Sequence, residues 1–514
     1  MILPVPDSMN LERLLPTVEL PLTCARLSVN NLQLDSRKVA EGDVFVALNA
    51  WGDGGRSGHE FIDAAIAAGA VAIIFDAPVN SVSHDGVARI GIPQLALEIS
   101  AIAGRLYQSP SAQLPLIAIT GTNGKTTCGQ LLAQMFALAG KNVGVIGTLG
   151  AGVWAANSER PLLAKTGFTT PDAIATQCLL QQLWQAGSEL VSIEVSSHAL
   201  AQGRVAALNF DCAILTNLSH DHLDYHGDMK SYAAAKARLF EFEGLRASIV
   251  NIDDDFGFKL AKSIKARAAA VIMYSLENNA ADVFTTNAIF SAHGVRAQLH
   301  TPWGSGELQS PLLGRFNLSN LLAVIAATFQ QGLKLTEVLA LVAQLQPVAG
   351  RMQSITVSSE QDIGVVVDFA HTPDALENAL QALRPLTNNK LICVFGCGGD
   401  RDSFKRAPMG KIAAAWADKV VLTSDNPRSE NPEMIIAAIA AGMQCAKSVH
   451  LQTNREQAIN FAVAQASPGD TVLIAGKGHE CEQIFAEHSI AFSDVEQAEI
   501  AVRNRVANLL EATK

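Results

Sequence analysis

The sequence predicts an α/β protein of three domains built on largely parallel sheets, and three observations carry that prediction. Short β-branched runs alternate with longer Ala/Leu-rich helical patterns along almost the whole chain. The segments that follow those runs are unusually polar, and in open α/β sheets ligands collect at the carboxyl ends of the strands. At 514 residues the chain is also too long for one hydrophobic core.

In chain order, DVFVAL (43–48), VAIIF (71–75), LPLIAIT (114–120), NVGVIG (142–147), LVSIEV (190–195) and CAILTN (212–217) read as buried strands. ASIVN (247–251), VVVDFA (365–370), KLICVFG (390–396), KVVLT (419–423) and TVLIAG (471–476) follow. Helical patterns such as CGQLLAQMFALAG (128–140) and DALENALQALRP (374–385) lie between them. YQSPSAQLPL (107–116) and LQPVAGRM (345–352) look like seams, which predicts domains at 1–110, 111–347 and 348–514. No internal repeat or low-complexity tract is visible.

Composition excludes several classes. Hydrophobic residues make up 49% and charged residues 17% of the chain, an ordinary balance for a folded soluble protein. Lys plus Arg number 38 against 49 Asp plus Glu, and the net charge of −11 argues against a general binder of nucleic acid or anionic membrane. No apolar stretch reaches the ~20 residues a membrane span needs; LLAVIAATF (321–329) is typical of the longest. MILPVPDSMNLERLL lacks a basic region followed by an apolar core, so no secretory signal is expected. The eight cysteines form no C-x-x-C pair, and the closest two, Cys393 and Cys397, flank a glycine-rich strand end. Reduced thiols in a cytoplasmic monomer are the expectation.

LPLIAIT-GTNGKTT-CGQLLAQMFALAG (114–140) reads as strand, glycine loop and helix. Gly121 and Gly124 let backbone amides turn towards an anion, and the helix presents its positive N-terminus. Lys125 can reach the β- and γ-phosphates of ATP, while the Thr126 hydroxyl can ligate Mg²⁺. The full G-x-x-x-x-G-K-[ST] form is not met, because Ile119 stands where its first glycine would be. An ordinary glycine turn with a solvated lysine is the plainer alternative, but the strand-to-helix context favours nucleotide binding.

Glu194 ends a strand in SIEVSSH and His222 follows another in TNLSHDHLDYHG, so both can converge on an ion beside that loop. His220, His222 and His226 also raise a zinc site, but their spacing matches no standard zinc module. Mg²⁺ bridging nucleotide phosphates fits better. For His220 and His226 a structural role is the simpler reading. Lys236, in SYAAAKARLF, is by its local pattern an exposed helix lysine. VLTSDNPRSENP (421–432) stops an apolar run in a knot of acid, amide, proline and arginine; alone, it reads as a solvated turn, with Asn431 and Pro432 opening the next helix.

Taken in order, GTNGKTT, EVSSHAL, TNLSHDHLDYHG, AAAKARLF, LLGRFNLSN, GRMQ, DFAHTPDAL, GCGGDRD, DNPR and GKGHE resemble the motifs of the Mur ligases of peptidoglycan synthesis, and among them the branch that adds diaminopimelate. The resemblance runs from about residue 34 to residue 494. It implies an N-terminal UDP-binding α/β domain, a central P-loop ATPase domain and a C-terminal Rossmann-like domain that binds the incoming amino acid. It also implies the reaction: ATP phosphorylates a substrate carboxylate, and an amine then displaces phosphate from the acyl phosphate. The implied substrates are UDP-N-acetylmuramoyl-L-alanyl-D-glutamate and meso-2,6-diaminopimelate.

Carried over by that resemblance, Gly121, Thr122, Asn123, Gly124, Lys125, Thr126 and Thr127 hold the ATP phosphates, with Thr126 on one Mg²⁺. Glu194 and His222 bind a second Mg²⁺. Lys236 matches the lysine that the family carbamylates with CO₂, which overturns its plain reading. Asn317, Arg351, Asp368 and His371 lie near the nucleotide. Leu34, Ser36 and Trp51 match uridine contacts; Thr169, Thr170, Ser196, Gln202 and Arg204 match contacts to the sugar-peptide. Arg401, Asp425, Asn426, Pro427, Arg428, Gly476 and Glu480 match the diaminopimelate pocket, whose opposite charges fit a zwitterion. The chain departs from the family pattern at Phe168, commonly Asn, at Phe369, often Tyr, and in the loop at Trp51, which aligns only with a gap. A lysine-adding sibling, a folylpolyglutamate synthetase and a P-loop ATPase acting as a switch are the competing readings.

Overall fold

The computed structural model describes residues 9–49, 56–267, 269–443 and 448–512. Two compact units are present: Met1–Gly121 with Cys128–Thr216 and Tyr225–Met273, and Thr122–Thr127 with Asn217–Asp224 and Tyr274–Lys514. Every run read as a buried strand forms one, and the two helical patterns become Lys125–Leu138 and Pro373–Leu383. Most of these strands are buried along their whole length, which is why they read as continuous apolar runs rather than as alternation.

The first unit holds two sheets. The N-terminal one has five strands in the order Asn31–Gln33, Asp43–Ala47, Ala72–Asp76, Val87–Ile92, Ser81–Asp85. The other has a parallel centre ordered Ala247–Asn251, Cys212–Leu215, Leu116–Thr120, Leu190–Glu194, Val143–Gly147. From Leu116–Thr120 the chain builds its next four strands on one side, then crosses to the other for Cys212–Leu215. The glycine loop therefore leaves the sheet at its topological switch point.

In the second unit an antiparallel meander, Val283–Ser291, Gly294–Thr301 and Gly304–Ser310, precedes the buried helix Arg315–Gln330. A six-stranded sheet follows, ordered Gln353–Ser354, Gly364–Asp368, Thr471–Ala475, Leu391–Phe395, Lys419–Leu422, Val449–Leu451. All but the first of its pairings are parallel. Consequently DFAH, GKGHE, GCGGDRD and TSDNPR emerge side by side at one carboxyl edge.

The short antiparallel strands carry no sequence signal comparable to the apolar runs. Ser81–Asp85 is nearly all exposed, and the hairpin Glu482–Ile484 with Ser489–Ala491 lies against the second unit with only Gln483 fully buried. Neither proline-rich seam is a solvated linker. Pro110 and Ser111 are buried, with the Asn209 amide donating to the Ser111 hydroxyl at 3.2 Å, and Val348 and Met352 are buried too.

Arg455 and Asp494, each at the start of a helix, form an ion pair with no exposed side-chain surface. Nε and Nη2 reach the two carboxylate oxygens at 2.7 Å each, and Nη2 also donates to the Ala475 carbonyl at 2.8 Å. Removing one partner strands the other charge in the core. Asp494→Asn is expected to lower stability by about 3–5 kcal/mol, read as a shift of the second unit's transition in urea; replacing both residues with apolar ones of similar volume should recover most of it.

Candidate active site

In the first unit Glu194 closes the strand Leu190–Glu194 and is buried. Its Oε1 accepts from the Thr148 amide at 2.9 Å, and its Oε2 from the Thr148 hydroxyl at 3.0 Å. Gly147 makes room for it, since an added Cβ would lie 2.8 Å from the carboxylate carbon. The carboxylate is thus aimed and desolvated.

A hydrogen-bonded patch extends from Glu194. The Thr170 hydroxyl donates to the Glu194 carbonyl at 2.8 Å and accepts from the Ser196 amide at 3.0 Å. Arg204 donates to the Thr170 carbonyl and to Gln202 Oε1, both at 2.8 Å, and Gln202 Nε2 donates to the Tyr225 hydroxyl at 3.1 Å. Thr169 Oγ lies 3.1 Å from Thr148 Oγ. Thr169, Thr170, Ser196, Gln202 and Arg204 are therefore brought together. Burial pushes the Arg204 pKa below its ordinary value. Phe168, the departure from the family pattern, is exposed, with the Arg204 guanidinium 5.8 Å from its ring centroid.

Lys236 is not the exposed helix lysine its local pattern suggests. It is 1% exposed, donates to the Gly121 carbonyl at 2.9 Å, and lies 4.4 Å from the Tyr232 ring centroid. Tyr232 sits one turn earlier on the same face of Met229–Ala237, and that face is buried. An alanine-rich helix has no apolar stripe to reveal which side packs. Elsewhere in this unit, Leu34 packs partly buried on the N-terminal core and Ser36 opens a 3-10 turn capped by Asp35. Trp51 lies outside the described residues.

In the second unit the loop Thr122–Thr127 is tied to Asn217 and Ser219. The Thr122 amide donates to the Asn217 carbonyl at 3.0 Å and the Asn123 amide to Asn217 Oδ1 at 2.9 Å. Lys125 Nζ donates to the Thr122 carbonyl at 2.8 Å. Gly124 has φ +86°, and an added Cβ would lie 2.5 Å from Asn320 Oδ1. Asn123 Nδ2 donates to Asp374 at 3.0 Å, and burial raises the Asp374 pKa against that bond. Arg351 Nη2 reaches Thr126 Oγ at 3.2 Å while its guanidinium lies 4.3 Å from the Phe369 ring centroid.

Nearby, Asp368 is buried and accepts from the Met352 and Ala370 amides at 2.7 and 2.8 Å; burial raises its pKa, opposed by Arg351. Asn317 Oδ1 is buried and has no hydrogen-bond partner among the described residues, a polar atom left for a ligand such as a nucleotide. His222 has φ +55°, with its amide donating to Asp221 Oδ1 at 2.9 Å and its Nε2 3.5 Å from Asp221 Oδ2. His220 is exposed. His226, in the first unit, bonds Ser197 Oγ at 2.9 Å among Tyr225, Tyr232 and His198. Among the described residues no group of three or more His, Cys, Asp and Glu is placed to hold a metal ion. A Mg²⁺ held mainly by phosphates needs no such group.

The turn at 424–428 is not solvated, as its local composition suggests; Asp425 and Asn426 are buried. The reason is that neighbouring strand ends close over it. Gln483 Nε2 donates to the Asp425 carbonyl at 2.6 Å, the Arg428 amide donates to the Ile484 carbonyl at 3.1 Å, and Arg428 Nη1 donates to the Gly399 carbonyl at 2.8 Å. Arg428 has φ +51°, and burial, then Arg401, pushes its pKa down. Both arginines border Gly398: an added Cβ there would meet Arg428 Nη1 at 3.0 Å and Arg401 Cγ at 3.8 Å. Gly476, at φ +116°, leaves space for Asp425 Oδ2, which an added Cβ would approach to 2.6 Å. Sequence reasoning missed Thr148, Asn217, Asp374 and Lys477; all four sit in or beside polar strand ends, which was the available signal.

The family model of the Mur ligase middle domain matches residues 119–328, and that of the Mur ligase, glutamate ligase domain, matches residues 350–478. The UDP-N-acetylmuramoyl-L-alanyl-D-glutamate–2,6-diaminopimelate ligase of Pseudomonas aeruginosa is 47% identical to this chain, covering 96% of it and 98% of that protein. The protein of the same name from Xanthomonas campestris pv. campestris is 43% identical, covering 97% of this chain and 98% of its own. A solved structure of a ligase with that name superposes with a TM-score of 0.68 at 35% identity, covering 97% of this chain and 99% of that one.

His371 supplies a pH test of the second unit. Its Nδ1 lies 3.0 Å from the Phe369 carbonyl, and burial first, then Lys405 and Arg351, lower its pKa to about 4, against an opposing Asp221. A histidine held neutral in the fold gains a proton only on unfolding, so its contribution to stability falls as pH drops from 6.5 towards about 4. His371→Gln is expected to flatten the wild-type stability slope across that window in urea denaturation. An unchanged slope would show that another group sets it.

Proposed function

The chain belongs to the Mur ligase family, and from that premise we propose that it is an ATP-dependent amide ligase joining meso-2,6-diaminopimelate to the D-glutamate of UDP-N-acetylmuramoyl-L-alanyl-D-glutamate in peptidoglycan precursor synthesis. Among the described residues no helix is long and apolar enough to cross a membrane. A cytoplasmic site of action is part of the same reading.

The observation that carries the acceptor half is the charge arrangement at the carboxyl edge of the C-terminal sheet. Arg401 and Arg428 border Gly398, while Asp425 and Glu480 leave the adjoining strand ends. The far end of meso-diaminopimelate bears one ammonium and one carboxylate on a single carbon. An arginine fork suits the carboxylate, and a carboxylate suits the ammonium. L-Lysine lacks the distal carboxylate and would leave the arginines without a substrate carboxylate to bind, a stronger filter than an apolar pocket gives.

The chemistry follows from a carboxylate being a poor electrophile. A carboxylate oxygen of the D-glutamate attacks the γ-phosphorus of ATP, the bond to the β-phosphate oxygen breaks, and ADP leaves. The free amine of diaminopimelate then attacks the acyl carbon and loses a proton, and the tetrahedral adduct expels phosphate. The loop amides and Lys125 hold the triphosphate, and Arg351 can exchange Thr126 for phosphate oxygens. Asn317 supplies its buried oxygen to the nucleotide. Thr126 would take one Mg²⁺, and Glu194 and His222 are the candidates for a second; such ions would supply neutralisation of charge on the transferred phosphoryl group. Thr170, Ser196, Gln202 and Arg204 orient the sugar-peptide. Lys236, as a carbamate, would exchange a cation for an anion and join the metal set.

Three arms test this reading. With ATP and the UDP-dipeptide supplied, meso-diaminopimelate should support phosphate release and amide formation, whereas L-lysine should not; strong turnover with lysine alone would refute the acceptor assignment. Arg428→Ala should raise the KM for diaminopimelate by roughly 10–100-fold, the scale of a lost charge-assisted hydrogen bond, with ATP binding intact. Lys236→Ala should abolish turnover, and intact mass of the wild type in bicarbonate should show a CO₂ adduct that the variant lacks.

A further inference from the structure

We propose that Lys477 is a positioning residue for acceptor selection: sealed beneath the clamp, its ammonium holds Glu480 and Asn426 so that Glu480 Oε1 is presented to the distal ammonium of the acceptor. This inference rests on the diaminopimelate reading and deepens it. Lys477 has no exposed surface, so it cannot itself touch a ligand in the open pocket, whereas the Glu480 side chain is 32% exposed.

The geometry is a closed triangle. Lys477 Nζ donates to Glu480 Oε2 at 2.7 Å and to Asn426 Oδ1 at 2.9 Å, and Asn426 Nδ2 donates to the same Glu480 oxygen at 2.9 Å. Asn426 Oδ1 also accepts from the Ile484 amide at 3.0 Å, so the amide has a single orientation that satisfies both ends. Glu480 Oε2 is thereby saturated from two sides. Oε1 accepts no hydrogen bond among the described residues and belongs to the exposed part of the side chain. Asn426, which is buried, spends its side chain on this triangle.

The charge pattern follows from the same arrangement. Around the clamp Arg401, Arg428 and Lys477 face three carboxylates, Asp425, Glu480 and Asp400, while Arg455 is matched by Asp494. With Lys477 in place the two signs balance. An acceptor bringing both signs at its far end suits such a pocket, and one bringing only an ammonium does not. Without Lys477 one carboxylate is left in excess, Glu480 loses its anchor, and the filter against a lone ammonium weakens.

Steady-state kinetics of the full chain test this, with ATP and the UDP-dipeptide saturating and meso-diaminopimelate or L-lysine varied. Lys477→Met is expected to raise the KM for diaminopimelate by about tenfold or more, leave the KM for ATP unchanged, and reduce the preference for diaminopimelate over lysine. In a Glu480→Gln background the same substitution should add little, because Lys477 acts through Glu480. Lys477→Arg, which keeps the charge, should recover part of the loss. An unchanged KM for diaminopimelate, or full additivity with Glu480→Gln, overturns the proposal. So does equal loss of ATP and diaminopimelate affinity with a lowered unfolding temperature, which marks a mere core staple. If Lys477→Met does not fold, Glu480→Gln decides: it should raise the KM for diaminopimelate alone, and an unchanged value overturns the proposal. A wild-type protein that turns over no diaminopimelate fails differently, by refuting the substrate reading itself.

Discussion

Everything polar in the second unit depends on one constraint: a buried parallel sheet can put its polar residues only where its strands end. Thr471–Ala475 lies between Gly364–Asp368 and Leu391–Phe395, and Lys419–Leu422 follows. Because the strands run in one direction, their four C-terminal turns leave the sheet at the same edge. Hydrogen-bonded register between strands thereby becomes spatial register between functional turns. The glycines at 398, 399 and 476 let those turns close on each other, and at Gly476 an added side chain would strike Asp425. Two of the non-glycine residues with left-handed backbone, Asp400 and Arg428, lie in those same turns. Such strain persists where the surrounding contacts over-determine it.

Burial at that edge then decides which charges do what. A buried ion must be matched, and each is matched in its own way. Arg455 is closed off by Asp494 and two carbonyls, so it stabilises and has nothing to offer a ligand. Lys477 is matched by Glu480, which keeps its other oxygen outside. Asp368 is matched by backbone amides and raised by burial, which suits a group that fixes the turn at Met352 and Ala370. Position along the gradient from core to solvent separates support from contact.

Sequence reading reached the strands and the polar turns at their ends because both have strong local causes. A strand buried on both faces must be apolar throughout, and a turn that grips an anion must carry glycine and a cation. The antiparallel additions escaped because Ser81–Asp85 and Ser489–Ala491 are mostly exposed, and exposed strands need no apolar code. Lys236 and Asp425 escaped for the opposite reason. Their burial is imposed by partners distant in sequence, Gly121 for one and Gln483 for the other, and no window around either residue contains that information. Family resemblance set Lys236 apart as a candidate site residue where local pattern gave the wrong exposure. Trp51, in the segment where the resemblance itself has a gap, stayed a reading of the sequence alone.

Lys477 shows why a motif can be noticed without being understood. In GKGHE the eye goes to Glu480, since a carboxylate has an evident use for an ammonium group, and Lys477 looks like a second cation for some phosphate. Its complete burial excludes direct contact with a ligand in the open pocket. Its two hydrogen bonds turn it into the reason that Glu480 and Asn426 sit still. A flexible carboxylate would lose side-chain entropy on gripping a substrate; one already held by a buried ammonium has lost it during folding. The same bond that orders Glu480 also offsets the charge of one of the pocket's carboxylates, so order and charge pattern cannot be tuned separately. Selectivity for a zwitterion is then a property of the core beneath the pocket as much as of its surface.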